Sequence, residues 1–111
     1  ISSAGSRVVP YVGFHTGYKT TLMREDELIR AIRLPRTTAG WQQHSRKVGT
    51  RKAQAISKVC IAAMAKLDGV TINDIRLAYG SVAPTPIRAW KTEAALKGCK
   101  LDSATIQAAQ A

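Results

Sequence analysis

The architecture of this 111-residue chain follows from residues 56–79, which read ISKVCIAAMAKL, DG and VTINDIRLAY. The first segment is apolar and contains several β-branched residues, and its composition fits a helix and a strand about equally. The last segment alternates between two faces, as a strand does. Asp68-Gly69 between them is a strong hairpin signal. We therefore predict an antiparallel hairpin of residues 56–67 and 70–79.

Further extended segments precede this hairpin. Residues 41–48 look extended, because alternate side chains share a face. Residues 7–12 are β-rich, but Pro10 cannot donate a ladder hydrogen bond, so this segment is predicted to be an edge strand or a lead-in. Residues 28–34 are compatible with a strand, and a helix over residues 25–33 is the alternative.

The C-terminal part of the chain is predicted to be helical. Residues 87–97 form one predicted helix, and Gly98 is a natural stop just after it. Asp102 is a candidate N-cap for a last helix over residues 103–110. Strands that precede helices are typical of an α+β domain. The length allows one small domain with one modest core.

A few side chains have predicted roles within this arrangement. Glu93 and Lys97 are spaced as an i,i+4 ion pair in the favourable order on the predicted helix. Trp41 and Trp90 are interpreted as anchors of a core or an interface. A Trp buries a large apolar area, and the chain has few other large side chains to fill its centre.

The chain is strongly basic, with 17 Lys and Arg against seven Asp and Glu, and its formal net charge is +10. The densest basic cluster comprises Arg46, Lys47, Arg51, Lys52 and Lys58. Three interpretations remain open: a solvated face, a nucleic-acid surface, and a surface that meets an anionic cofactor or an acidic partner subunit. Aromatic residues make up only 5% of the chain, which argues against stacking on single-stranded nucleic acid.

No set of residues nominates an active site, since GxSxG, HExxH and P-loop motifs are absent from the sequence. Cys60 and Cys99 are isolated, so we predict a reducing cytosol and no structural zinc or iron–sulfur ligation by this chain. The longest apolar run, residues 59–65, is far shorter than the roughly 20 residues of a membrane-spanning helix. The start lacks both Met and signal-peptide features, which suggests a piece of a longer protein.

Several segments together resemble one protein family. They are residues 13–19 (GFHTGYK), 25–29 (EDELI), 32–35 (IRLP), 47–59 (KVGTRKAQAISKV), 75–89 (IRLAYGSVAPTPIRA) and 93–98 (EAALKG). In this order and spacing they resemble the C-terminal domain of the FAD-binding (medium) subunit of molybdenum hydroxylases, the group of xanthine dehydrogenase and carbon monoxide dehydrogenase. The resemblance covers nearly the whole chain.

The resemblance implies an α+β domain in which a three-stranded antiparallel sheet packs against a small C-terminal helical bundle. Residues 1–35 would lead in from a preceding FAD-binding domain and include a strand, and residues 36–111 would form the C-terminal domain. The implied enzyme is a cytoplasmic oxidoreductase. Its electrons pass from a molybdenum-pterin centre through two [2Fe–2S] clusters to FAD, and then to NAD or another acceptor. The implied partners are a large molybdenum-binding subunit and a small iron–sulfur subunit, and no nucleic acid is expected.

Two residues correspond to flavin-site positions of that family. Ile29 matches an aliphatic position that packs against the isoalloxazine ring, although a plain core residue is an equal alternative. Lys47 matches a lysine close to the flavin, where an ammonium could stabilise negative charge on the reduced ring. The loop after Lys47 lacks the acidic residues of redox-switching animal enzymes at Ala53-Gln54-Ala55, so that switch is not expected here.

The paired-glycine loops that bind the FAD pyrophosphate in the family have no counterpart in this sequence, where Gly49 and Gly80 are single glycines. The chain alone is therefore expected to lack most contacts that hold FAD and to have no turnover. Two alternatives to the flavoprotein interpretation are a small basic nucleic-acid-binding module and a purely structural interaction domain.

Overall fold

The computed structural model describes residues 1–51, 53 and 55–110. Its elements are β1 (His15–Gly17), β2 (Thr20–Thr21), β3 (Gln42–Gly49), β4 (Ser57–Asp68), β5 (Thr71–Gly80), β6 (Ile87–Arg88), α1 (Trp90–Leu96) and α2 (Ser103–Ala108). β1 and β2 form a short antiparallel ribbon, and the other strands form one antiparallel sheet in the order β3-β4-β5-β6. The predicted α+β class is confirmed. The main sheet has four strands rather than three, because the short β6 adds to β5.

The predicted hairpin is confirmed as β4 and β5. Asp68 pairs with Thr71, so the connecting loop has only two residues, Gly69 and Val70. Gly69 has a φ of +58°. A positive φ at the first loop position is what a type II′ turn requires, and glycine adopts it without the steric cost of a Cβ atom.

The predicted strand over residues 41–48 is also confirmed. β3 pairs with β4 along its whole length, from Gln42 opposite Ala65 to Gly49 opposite Ser57. A bulge interrupts the ladder between Val48 and Gly49. β4 is therefore the strand that has a long neighbour on both sides, and β3 forms one edge of the sheet.

The N-terminal predictions are wrong in part. Residues 7–12 contain no strand, and residues 28–34 form neither the strand nor the alternative helix. A strand needs a neighbour to satisfy its backbone groups. Among the described residues, the backbone of residues 28–34 is hydrogen-bonded only at Leu28. The Leu28 N–H donates to Ile1 O, and the N-terminal ammonium of Ile1 donates to Leu28 O, both at 2.9 Å.

The C-terminal helices are shorter than predicted. Residues 87–88 form β6, and α1 begins only at Trp90, because β6 pairs with the end of β5 before the helix starts. Gly98 follows the helix with a φ of +83°, as expected of a helix stop. The Asp102 cap of α2 is confirmed, since its Oδ1 accepts a hydrogen bond from the Thr105 N–H at 2.8 Å. No helix in the described part of the chain is long and apolar enough to cross a membrane.

The C-terminal segment closes the outer edge of β5. β6 covers the end of β5, and the chain after α1 covers its beginning. Besides the β5–β6 ladder, five hydrogen bonds among the described residues close this edge, and a backbone N–H is the donor in each. The donors and acceptors are Ala89 to Leu77 O (3.0 Å), Ile72 to Cys99 O (2.9 Å), Gly98 to Ile72 O (2.7 Å), Leu101 to Val70 O (2.7 Å) and Leu77 to Glu93 Oε1 (2.8 Å). The only buried residues among those described lie here: Ile72 (1% exposed), Glu93 (7%) and Leu96 (8%).

The molecule as a whole exposes more surface than a compact domain of its size. Its accessible surface is 9,247 Å², whereas a folded monomer of 12.0 kDa exposes about 6,000 Å². Its radius of gyration is 17.3 Å, whereas a compact domain of this length has about 13 Å. Trp90, interpreted above as a core or interface anchor, is 58% exposed and is not part of a core in this chain. Much apolar surface that a domain normally buries is therefore available for contact with other protein.

Candidate functional site

One face of the sheet carries an open groove of about 350 Å³. Paired residues of an antiparallel ladder share a face. Two rows of such residues line the groove, namely Ser45–Ala62–Ala78 and Lys47–Cys60–Gly80. Every residue of these rows except Lys47 is small, so the floor of the groove is shallow and mainly apolar.

Gly80 is required here by close packing across the sheet. A Cβ atom at this position would lie 2.6 Å from Cys60 Sγ, well inside van der Waals contact. The thiol thus occupies the space above the glycine backbone. Cys60 is half-buried and forms no disulfide.

Lys47 lies at the β3 side of this groove. Its side chain is exposed, and it makes no hydrogen bond or ion pair with any described residue. Lys47 also borders a second groove of about 570 Å³. The other residues that line this groove include Arg46, Thr50 and Arg51. Gly49, at the bulge of β3, also borders this second groove, and a Cβ atom there would lie 3.0 Å from the Ala55 Cβ. The structure thus places an exposed ammonium group at the junction of an apolar groove and a cationic one.

Ile29 lies on a different part of the molecule. It belongs to the irregular segment after Glu27, is 60% exposed, and lines neither groove. The start of that segment is anchored by Arg7, whose guanidinium donates two hydrogen bonds to the Glu27 carboxylate. This pairing lowers the pKa of Glu27 to about 2, and the Arg24 N–H contributes to the same shift. Ile29 and Lys47 are therefore both available for contact, but the chain does not join them in one pocket.

A cluster that sequence reasoning missed lies at the closed edge of β5. Glu93 was predicted to pair with Lys97, and that prediction is wrong. The Glu93 carboxylate instead accepts two hydrogen bonds from Arg88, at 2.7 and 2.6 Å, and one from the Leu77 N–H. The Arg88 hydrogen bond is the main reason that the pKa of Glu93 is lowered, against an opposing effect of burial. Lys97 approaches Asp74 at 3.8 Å.

Two guanidinium–indole contacts accompany this cluster. The Arg88 guanidinium lies 4.1 Å from the ring centre of Trp90, and that of Arg76 lies 4.9 Å from the ring centre of Trp41. Spacing rules for helices could not find the Arg88–Glu93 pair, because Arg88 is in a strand and Glu93 in a helix. The contiguous motif around Arg88 within residues 75–89 was the only available signal.

The described residues bring together no group of three His, Cys, Asp or Glu side chains that could hold a metal ion. The acidic residues 25–27, which the sequence places next to one another, include Glu27 in its ion pair with Arg7. The groups that remain for ligand chemistry are cationic and apolar. They suit an anionic or flat aromatic ligand, or an acidic protein surface.

Comparison with known proteins identifies the family. Residues 44–111 match the CO dehydrogenase flavoprotein C-terminal domain. The chain belongs to this family. The xanthine dehydrogenase FAD-binding subunit of Escherichia coli O157:H7 is 34% identical over 114 residues, which cover 96% of this chain and 37% of that protein. The glyceraldehyde dehydrogenase medium chain of Sulfolobus acidocaldarius is 35% identical over 106 residues, with the same coverage of each chain.

A solved structure of this family has the same fold. In the carbon monoxide dehydrogenase of Hydrogenophaga pseudoflava, a form that lacks the Mo-pyranopterin moiety of the molybdenum cofactor, the matching chain superimposes with a TM-score of 0.86 and 36% identity. The match covers 96% of this chain and 37% of that one. The chain therefore spans little more than a third of the length of the relatives named here. The names of these relatives refer to different substrates, so membership of the family does not identify the substrate of this chain's enzyme.

Proposed function

We propose that this chain is the C-terminal domain of the FAD-binding subunit of a molybdenum-containing dehydrogenase, of the xanthine and carbon monoxide dehydrogenase type, and that it forms one wall of the flavin site. The observation that carries the proposal is the fold match to the carbon monoxide dehydrogenase chain at a TM-score of 0.86 and 36% identity over nearly all of this chain. The domain assignment within the subunit is residues 1–35 as a lead-in and residues 36–111 as the C-terminal domain.

The residues present fit the ring of FAD better than its phosphates. Lys47 offers an exposed ammonium group that forms no ion pair with a described residue, and Ile29 offers an exposed aliphatic side chain. The described glycines with a positive φ stand singly and not in a paired-glycine loop. A wall for the ring is thus consistent with this chain, and the phosphates would be held by the preceding FAD-binding domain.

Bound FAD would supply two-electron and one-electron transfer between the metal centres and NAD or another acceptor. In that setting the Lys47 ammonium would stabilise negative charge on the ring, because no carboxylate among the described residues neutralises it. Ile29 contributes apolar area that excludes water from a flat aromatic face.

The large exposed surface supports a multisubunit setting. We infer that the partners are the preceding FAD-binding domain, a large molybdenum-pterin subunit and a small subunit with [2Fe–2S] clusters. The two short helices would belong to a larger helical bundle in the complete subunit. A cytoplasmic location fits two cysteines that are both free thiols. By itself the chain is expected to have no turnover.

The proposal is tested by Lys47→Ala in the complete FAD-binding subunit within its enzyme. Loss of the ammonium should lower the midpoint potential of the flavin by about 30 mV, which corresponds to about a tenfold change for a two-electron couple. Lys47→Arg should retain most of the effect because the charge is kept. Lys91→Ala, at an exposed lysine of α1, is the matched control and should leave the potential unchanged.

An unchanged flavin potential and turnover in Lys47→Ala would favour the purely structural interpretation of this domain. A complete subunit that contains no FAD would overturn the proposal altogether.

A further inference from the structure

The net charge of the chain is concentrated in one continuous stretch. Residues 28–67 contain no Asp or Glu but nine of the 17 basic residues: Arg30, Arg33, Arg36, Arg46, Lys47, Arg51, Lys52, Lys58 and Lys66. The remaining residues hold eight basic and seven acidic side chains and are nearly neutral. The strong positive field of the molecule therefore arises around this acid-free stretch.

The exposed edge of the sheet lies inside the acid-free stretch. β3 pairs with β4 on one side only, and no described strand lies on its other side. Residues 42–48 are all exposed. Alternate backbone N–H and C=O groups of an edge strand point outward without a partner and form a template for one more strand. Arg46 and Lys47 are adjacent in β3, so their side chains lie on opposite faces of the sheet.

The charges argue against a second copy of this chain as the occupant. Two β3 strands paired edge to edge would face one another without a single acidic residue, and like charges on paired strands are destabilising. The irregular segment after Glu27 is excluded on the same ground, because it is itself basic. Cationic side chains and a terminal bulge are devices that prevent edge-to-edge self-association. They do not prevent pairing with a strand of opposite charge.

We propose that the outer edge of β3 pairs with an extended, acidic segment of a partner subunit, which adds a fifth strand to the sheet. Carboxylates on one face of that segment meet Arg46, while the backbones exchange hydrogen bonds and Lys47, on the other face, remains available to the flavin. The inference rests on the proposed function insofar as it assumes a multisubunit enzyme. A peptide is favoured over nucleic acid because the free backbone groups of β3 match another backbone, and Trp41 already has one ring face against Arg76.

The direct test is hydrogen exchange of the complete FAD-binding subunit, alone and assembled with its large and iron–sulfur subunits. In the free subunit, the outward amides of residues 42–49 should exchange quickly. Assembly should slow those alternate amides by at least about tenfold, as for amides that enter a ladder. Unchanged exchange at residues 42–49 on assembly overturns the proposal.

A charge reversal supplies the second test. Arg46→Glu should weaken assembly of the complete subunit with its partners by about tenfold, and more at low salt than at high salt. Arg46→Lys should assemble normally, and Lys91→Glu controls for a general charge effect. Arg46 also lines the second groove together with Lys47, so the FAD content of each variant is measured separately. If the unmodified subunit contains no FAD, the proposed function is contradicted, whereas the proposal that the β3 edge pairs with an acidic strand is not affected.

Nucleic acid is the competing outcome. Duplex DNA that protects residues 42–49 at moderate salt, together with assembly that leaves them unprotected, would overturn the acidic-strand proposal. Assembly of Arg46→Glu with wild-type affinity at low salt would also overturn it.

Discussion

The two outer edges of the main sheet differ in how their backbone groups are satisfied. The β5 edge is closed by its own chain, through β6, the Glu93 carboxylate and the residues that follow α1. The β3 edge carries no described neighbour, and residues 42–48 are exposed. All buried residues found in the described chain lie at the closed edge. Stability is therefore concentrated at one edge, and the capacity for new contacts at the other.

The largest effect on this contrast should come from the buried side chain at the closed edge. Ile72→Ala should lower the free energy of unfolding of the complete subunit by about 3 kcal/mol, because it leaves a cavity where the side chain is 1% exposed. Urea unfolding measures this change. Val70→Ala, two residues away and exposed, should cost less than about 0.5 kcal/mol. Equal costs for both variants would show that the closed edge is not a core.

The ionic part of the closed edge should give the next largest effect. Glu93→Gln keeps the size of the side chain but leaves Arg88 without its carboxylate, and it should cost about 2 kcal/mol of unfolding free energy at neutral pH. Lys91→Gln is the matched control on the same helix and should be close to neutral. A neutral effect of Glu93→Gln would mean that the carboxylate does not hold β6 and α1 together.

Acid should remove the advantage of Glu93. Its pKa in the folded protein is lowered from the ordinary value of 4.5, mainly by Arg88, so the unfolded chain binds the proton more readily. The stabilisation is complete above about pH 4.5 and is lost as the pH falls through the lowered value. The difference in unfolding free energy between the wild type and Glu93→Gln should therefore shrink as the pH is lowered from 5 to about 3. A difference that stays constant over this range would contradict the assignment.

A smaller effect is expected at the groove between the edges. Gly80→Ala should cost about 1 kcal/mol, because the added methyl group meets Cys60 Sγ. Cys60→Ala in the same chain should restore most of that loss, which a double-mutant cycle of unfolding free energies measures. Additive effects of the two changes would show that the thiol does not limit the space.

The smallest effect should come from the open edge itself. Arg46→Ala is expected to change the unfolding free energy of the free subunit by less than about 0.5 kcal/mol, since the side chain is exposed. The same change should weaken assembly. A large loss of stability in the free subunit would remove the contrast between the two edges.

Local patterns were sufficient to predict the central part of the sheet. The Asp68-Gly69 signal and the alternation after it predicted the hairpin, although the loop itself is Gly69-Val70, one residue later, and the alternation in residues 41–48 predicted β3. Local pattern predicts a helix at residues 87–88. It misses β6 because the pairing of these residues with β5 is a tertiary contact that no local pattern encodes. The irregular segment after Glu27 has the composition of a strand but lacks a neighbour that would make it one.

The candidate site was predictable only through family resemblance. Composition left three interpretations of the basic cluster open, and nothing in the spacing of Ile29 or Lys47 indicates a flavin. The structure shows that both side chains are exposed, and their roles stay predictions. Helix spacing predicts the wrong partner for Glu93, because its ion pair joins a strand to a helix.

The short β4–β5 turn has a consequence for the order of folding. With only Gly69 and Val70 in the loop, each new pair of the ladder forms next to a pair already made, so closing the ladder requires little additional loss of chain entropy. During synthesis all residues of this ladder have emerged from the ribosome once Gly80 has, whereas the residues that cover the other edge of β5 emerge later. The nascent hairpin therefore exposes one edge of β5 until β6 and the residues after α1 emerge and pair with it.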